Sequence, residues 1–186
     1  MTTTGIHVCS ISALAVLRGH WTLFASFLDP DYNGLIVPAA ITSPHHLIFR
    51  FNDVIGPLEG FVEPVKSDIE RWIENVAPLP ISVPNSLLVH CHLGLSRSVA
   101  AAAIAYATGN KRDLAALPSL IGEWSPRPWP NSLMLEMADD LLDLGGTLPE
   151  IGCEVRRRTA RRYPEWVDRL AMTHRSSEVD EIRAPP

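Results

Sequence analysis

Apolar residues along the chain gather into short dense runs and longer periodic ones, and the two kinds alternate. Ile6 to Cys9, Trp21 to Leu28, His46 to Phe51 and the Leu87-Leu88-Val89 run are short and bounded by polar or turn-forming residues, which predicts strands. The second ends in Asp29-Pro30-Asp31-Tyr32-Asn33-Gly34, a turn by composition. Ile11 to Gly19 reads as a helix, and Val62 to Val76 sets Val62, Val65, Ile69, Trp72, Ile73 and Val76 at helical spacing. Further helices are predicted over Val99–Thr108, Lys111–Glu123 and Asn131–Leu144. This alternation predicts an α/β fold with a central, mostly parallel sheet flanked by helices on both faces. Ligands of such sheets bind beyond the strands' carboxyl ends.

The chain changes character after Gly145-Gly146. A helical extension is expected over about residues 147–173, with Arg156-Arg157-Arg158 and Arg161-Arg162 on a solvated face and Val155, Tyr163, Trp166 and Leu170 packing inward. A docking surface for an acidic partner is the competing reading of those arginines. Residues 174–186 are polar and are expected to be a disordered tail, so that one domain spans about 1–173.

Composition narrows the setting. A chain of 186 residues with 46% hydrophobic content is long enough to bury one core. A net charge of −5 gives no reason to expect a nucleic-acid partner. No stretch reaches the length of a membrane-spanning helix, and Met1-Thr2-Thr3-Thr4 lacks the basic start of a signal peptide. Three cysteines without framework spacing fit a reducing compartment, so a cytoplasmic protein without a membrane partner is expected. Neighbouring strand residues face opposite ways, so His45-His46 is a poor metal site, and neither a metal nor another cofactor is expected. Nothing in the chain specifies an oligomeric state.

The densest chemistry lies in His90-Cys91-His92-Leu93-Gly94-Leu95-Ser96-Arg97-Ser98, between the Leu87 strand and an alanine-rich helix. A helix start presents unpaired N–H groups and partial positive charge to an anion. Gly94 can take a left-handed conformation, which turns successive N–H groups inward as a nest. Arg97 adds a planar fork that grips two oxygens of a phosphate, and the same field favours a nucleophilic thiolate at Cys91. A buried cysteine acting only as a small hydrophobe is the competing reading.

His90-Cys91, five residues and Arg97-Ser98, with Gly94 between, resemble the signature loop of the cysteine-dependent protein tyrosine phosphatases. Arg127-Pro128-Trp129-Pro130-Asn131 resembles a segment of the dual-specificity branch, here one residue shorter. The resemblance covers about Gly5 to Leu144 and implies a protein tyrosine phosphatase-like fold. It further implies a Cys91 nucleophile that forms a phosphocysteine, with His92, Leu93, Gly94, Leu95, Ser96 and Arg97 around the phosphate. Ser98 would stabilise the departing thiolate, while His90 and Asn131 would order the loop. The substrate would be a phosphorylated protein, or a small phosphate ester. Leu93 and Leu95 make the loop less polar than a polyanionic phosphoinositide would favour.

The family draws its proton donor from a loop after an upstream strand. Asp53, after the His46 strand, is the expected residue, with Glu59 and Glu63 as alternatives and Glu63 placed at a helix start. Asp53 also suits a turn cap, and Asn131 a helix N-cap. Cys9 is considered as a disulfide partner for Cys91 under oxidation. Two other functions stay open. One is a rhodanese-like sulfurtransferase, against which the five-residue gap and Ser98 argue; the other is a phosphoprotein-binding module without catalysis.

Overall fold

The computed structural model describes residues 4–111 and 113–184. Six strands form, β1 (Ile6–Ser10), β2 (Gly19–His20), β3 (Leu23–Leu28), β4 (Ile41–Thr42), β5 (His46–Arg50) and β6 (Leu87–Cys91). The helices are α1 (Lys66–Val76), α2 (Arg97–Gly109), α3 (Leu117–Trp124), α4 (Ser132–Leu142), α5 (Thr147–Arg162), α6 (Pro164–Leu170) and α7 (Ser176–Arg183).

The central sheet has the order β1-β6-β3-β5 and all its pairs are parallel. The inner strands β6 and β3 are buried at every residue, while the outer β1 and β5 keep exposed positions. That difference follows from coverage, because an inner strand meets packing atoms on both faces. The two faces are covered unequally. Ile6, Val8, Leu23, Ala25, Phe27, Leu87, Val89 and Cys91 join the large core under α1 to α5. Cys9, Phe24 and Leu88 face the other way, against Leu14, Trp21 and Ile41.

Helix α2 sits in the middle of the large core. Its residues from Arg97 to Ala107 are all buried, and its alanines let the sheet and the neighbouring helices approach closely. Trp72 of α1 is fully buried, and its indole N–H donates to the Ala101 carbonyl at 2.9 Å. A smaller core joins Trp129 to Val167 of α6 and Val179 of α7.

Five expectations need correction. Arg156, expected on a solvated face, is 1% exposed because it pairs with Glu181 and Glu178. Ile11 to Gly19 holds only a short 3₁₀ helix, Ser12–Val16, because Leu17 turns extended and Gly19 takes a φ of 148° on entering β2. The Val62 helix starts at Lys66, since Pro64 biases Glu63 away from helical backbone, so Glu63 precedes the helix. Lys111–Glu123 shortens to Leu117–Trp124, with Pro118 in its first turn; Arg112 lies outside the described residues. The expected tail instead forms α7, because Val179 and Glu178 are both buried; Pro185 and Pro186 lie outside the described residues.

Removing the indole that both fills the core and holds a helix carbonyl should be costly. Trp72→Ala should lower the unfolding free energy by about 3–5 kcal/mol, read as a lower denaturant midpoint.

Candidate active site

Parallel pairing brings the strand ends to one edge. Cys91 closes β6 opposite Ser10, Asp29 follows β3 directly, and Asp53 lies shortly after β5. Between Cys91 and Arg97 the chain makes its turn into α2. On one side the turn's carbonyls are taken: Ile11 N–H donates to Cys91 and His92, Ser125 Oγ to Gly94, and Trp129 N–H to Leu95. In a trans peptide the following N–H points opposite to the carbonyl. The amides of His92, Leu93, Leu95 and Ser96 are therefore directed away from those partners, which is how a nest for an oxyanion is built. Gly94 makes the turn possible with a φ of 72°, and a Cβ there would sit 2.7 Å from the Cys9 and Ser10 backbone.

The nucleophile candidate is well placed. Cys91 Sγ lies 3.1 Å from Ser98 Oγ and accepts the Gly94 N–H at 3.3 Å. Arg97 is 3% exposed, and its Nη1 donates to Asp29 Oδ1 at 2.8 Å and to the Phe51 carbonyl at 2.5 Å. Its Nε is buried without a hydrogen-bond partner among the described residues, a donor still to be satisfied.

Asp53 is held from three directions. Its Oδ1 accepts from Ser96 Oγ at 2.7 Å, Asn131 Nδ2 at 2.9 Å and Arg175 Nη1 at 2.9 Å. Burial by itself raises its pKa, but the charges of Arg175 and Arg97, with the Asn131 and Ser96 hydrogen bonds, outweigh it and hold the carboxyl below its ordinary value. Asn131 also caps α4 by accepting the Met134 N–H at 3.0 Å, so one side chain serves the helix and the loop. Glu59 is exposed, and neither Glu59 nor Glu63 lines the cavity.

The histidines differ. His92 Nε2 accepts the Asp29 main-chain N–H at 3.3 Å, and burial lowers its pKa against the opposing pull of Asp29. His90 points to the opposite sheet face, with Nε2 2.6 Å from Ser26 Oγ, which in turn lies 2.8 Å from His46 Nε2. Burial pushes His90 down to about 4, so it orders the strand end as a neutral ring. Cys9 also faces away from Cys91, because it pairs with His90 in register. A disulfide between the two cysteines does not fit this arrangement, and all three cysteines are free.

A cavity of about 320 Å³ opens over Cys91. Cys91, His92, Leu93, Leu95, Ser96, Arg97 and Asp53 line it, as do Asp29, Phe61 and Trp129. Gly94, Ser98, His90 and Asn131 support it from behind. The extension supplies Trp166, Leu170, Thr173, His174 and Arg175, and nothing in the local pattern identified these or Asp29 as site residues. Asp29 carried one signal, its place directly after a strand. Among the described residues no group of three or more His, Cys, Asp or Glu is arranged for a metal ion, and no helix is long and apolar enough to cross a membrane.

No protein-family model matches the chain, and no curated protein matches it. Solved structures do. Human DUSP28 matches with a TM-score of 0.52 at 17% identity, covering 76% of this chain and 94% of that one. DUSP15 gives 0.46 at 14% identity, over 85% and 94%. OH1 from the Orf virus, described as a tyrosine phosphatase with triple substrate specificity, gives 0.38 at 21%, over 88% and 84%. The DUSP28 likeness shows that the chain has the fold of the dual-specificity phosphatases.

The crowding around Gly94 gives a direct check. Gly94→Ala should cost about 1–3 kcal/mol of stability through backbone strain alone. It should also abolish the rise in melting temperature that tungstate is expected to give the unaltered protein.

Proposed function

We propose that the chain hydrolyses phosphate monoesters through a phosphocysteine. The observation that carries this reading is the arrangement around Cys91 Sγ, which has the Gly94 amide, the Ser98 hydroxyl and the partly unsatisfied Arg97 guanidinium converging on one cavity. The Gly94 and Ser98 donors stabilise the Cys91 thiolate, while Arg97 and the inward-facing amides of the turn stabilise the equatorial oxygens as charge redistributes in a phosphoryl transfer.

In the first step the Cys91 thiolate attacks phosphorus, an S–P bond forms and the ester P–O bond breaks. The leaving oxygen takes a proton from Asp53. At rest this carboxyl is held toward its ionised form, and the substrate dianion, a like charge beside it, favours uptake of a proton from solvent, which Asp53 then passes to the leaving oxygen. All three of its hydrogen-bond donors meet Oδ1, so Oδ2 is the oxygen available to carry the proton. In the second step water attacks phosphorus and gives a proton to Asp53. The P–S bond breaks, inorganic phosphate leaves, and the Ser98 hydroxyl at 3.1 Å stabilises the returning thiolate.

Arg97 changes partner during binding. Its bond to Asp29 is exchanged for bonds to phosphate, and Asp29 keeps the guanidinium aimed at the cavity beforehand. Phe61, Leu93, Leu95, Trp129, Trp166 and Leu170 make the cavity walls apolar. Such walls suit the ring of a phosphotyrosine in a protein, with phosphoserine and phosphothreonine as smaller occupants.

The test is hydrolysis of aryl phosphates across roughly pH 5–8 without added metal. Turnover should vanish in Cys91→Ser while tungstate binding persists, whereas Arg97→Ala should lose both. Asp53→Asn should slow esters with poor leaving groups by about 10²–10⁴-fold and activated esters far less. No turnover in the unaltered protein, with tungstate binding retained, would point to a binding module; persulfide formation from thiosulfate would point to a sulfurtransferase.

A further inference from the structure

The segment from Leu170 to Arg183 does more than cover the core. Arg175 is 5% exposed, and its Nη1 donates both to Asp53 Oδ1 at 2.9 Å and to Ser96 Oγ at 3.0 Å. The other side of the same guanidinium is gripped by Glu178, with Nε to Oε2 at 2.7 Å and Nη2 to Oε1 at 3.0 Å. Glu178 is 3% exposed and accepts further bonds from the Trp129 indole at 2.7 Å and the Ser132 N–H at 3.2 Å. Arg156 Nη1 stands 3.8 Å from Glu178 and its Nη2 2.9 Å from Glu181. His174, the preceding neighbour, places Nε2 2.9 Å from the Asp53 carbonyl.

These contacts join pieces of chain that are far apart in sequence: the loop after β5, the turn before α2, the Trp129–Ser132 stretch, α5 and the start of α7. Resting on the function proposed above, we infer that Arg175 is a positioning residue of the catalytic site, fixing Asp53 and Ser96 together and making the working cavity depend on the docked C-terminal segment. Without this brace Asp53 would keep only its Ser96 and Asn131 hydrogen bonds, and Ser96 would lose the guanidinium that fixes it. The proton donor would then shift relative to the leaving group, and small misplacements slow a reaction steeply. Lysine is a poor replacement, because it lacks the planar fork that spans Asp53, Ser96 and Glu178 at once.

The brace also places a fixed positive charge beside the proton donor. The other charged or titratable groups around Asp53 and its cavity are Arg97 at the start of α2 with its partner Asp29, Cys91 and His92 in the turn, and His174 on its main chain, while Glu178 faces it only through Arg175. A cation next to a carboxyl favours its ionised form. A donor that must be protonated then loses rate as pH rises, and removing the cation should move that basic limb to higher pH.

The experiment compares the full chain with Arg175→Met and Arg175→Lys, using p-nitrophenyl phosphate and a phenyl phosphate of poorer leaving ability. For Arg175→Met, kcat should fall by about ten- to a hundredfold, with a smaller change in KM, and the basic limb of the kcat profile should shift upward. Arg175→Lys should lose rate but keep the limb where the unaltered protein has it. A folded Arg175→Met with unchanged kcat and an unchanged limb would overturn the inference. If that variant does not fold, Arg175→Lys decides: a reduced kcat supports the brace, and an unaltered kcat overturns it. Absence of turnover in the unaltered protein would overturn the function and the inference together, whereas turnover lost with Cys91→Ser but indifferent to Arg175 would overturn the inference alone.

Discussion

The carbonyls of the turn from β6 into α2 are satisfied on its outer side, which directs the amides that follow them to its inner side. Ile11, Ser125 and Trp129 supply those outer partners from three different parts of the chain. Buried polar groups without partners are expensive. The segment after β1 and the Ser125–Trp129 stretch are therefore as much a part of the candidate nest as the turn itself. Gly94 belongs to the same constraint, since its backbone angle and its contact with the Cys9–Ser10 backbone both exclude a side chain.

A second layer of order comes from buried charge. Arg97, Arg175, Arg156 and Glu178 are all 5% exposed or less, and each is paired with at least one opposite charge. Breaking a buried pair strands its partner in a medium that solvates charge poorly, so these pairs fix which elements lie together even where they add little net stability. Through them the extension becomes a wall of the cavity, with Trp129 buried beneath α6 and α7 and in edge contact with Trp166.

The sheet keeps two kinds of chemistry apart. Side chains alternate across a strand, so Cys91 opens to the cavity side while His90, Ser26 and His46 connect on the other face. A neutral His90 clamped in this chain steadies the end of β6 without exchanging protons. The same alternation separates Cys9 from Cys91, although their strands are neighbours.

Local features of the chain were enough for the four strands of the central sheet, the alanine-rich helix, the Cys91-to-Arg97 turn and the Asn131 cap, because each depends on interactions among residues close in sequence. They were also enough to place Asp53 after a strand whose end reaches the same edge. Tertiary structure alone decided that Asp29 meets Arg97, that Arg175 braces Asp53 and Ser96, and that Ser176–Arg183 folds as a helix. Those outcomes rest on pairs such as Arg175 with Asp53 and Trp129 with Glu178, whose members lie far apart in the chain. A charged side chain reads as solvated or as buried according to whether a distant partner arrives, and local periodicity carries no record of that partner.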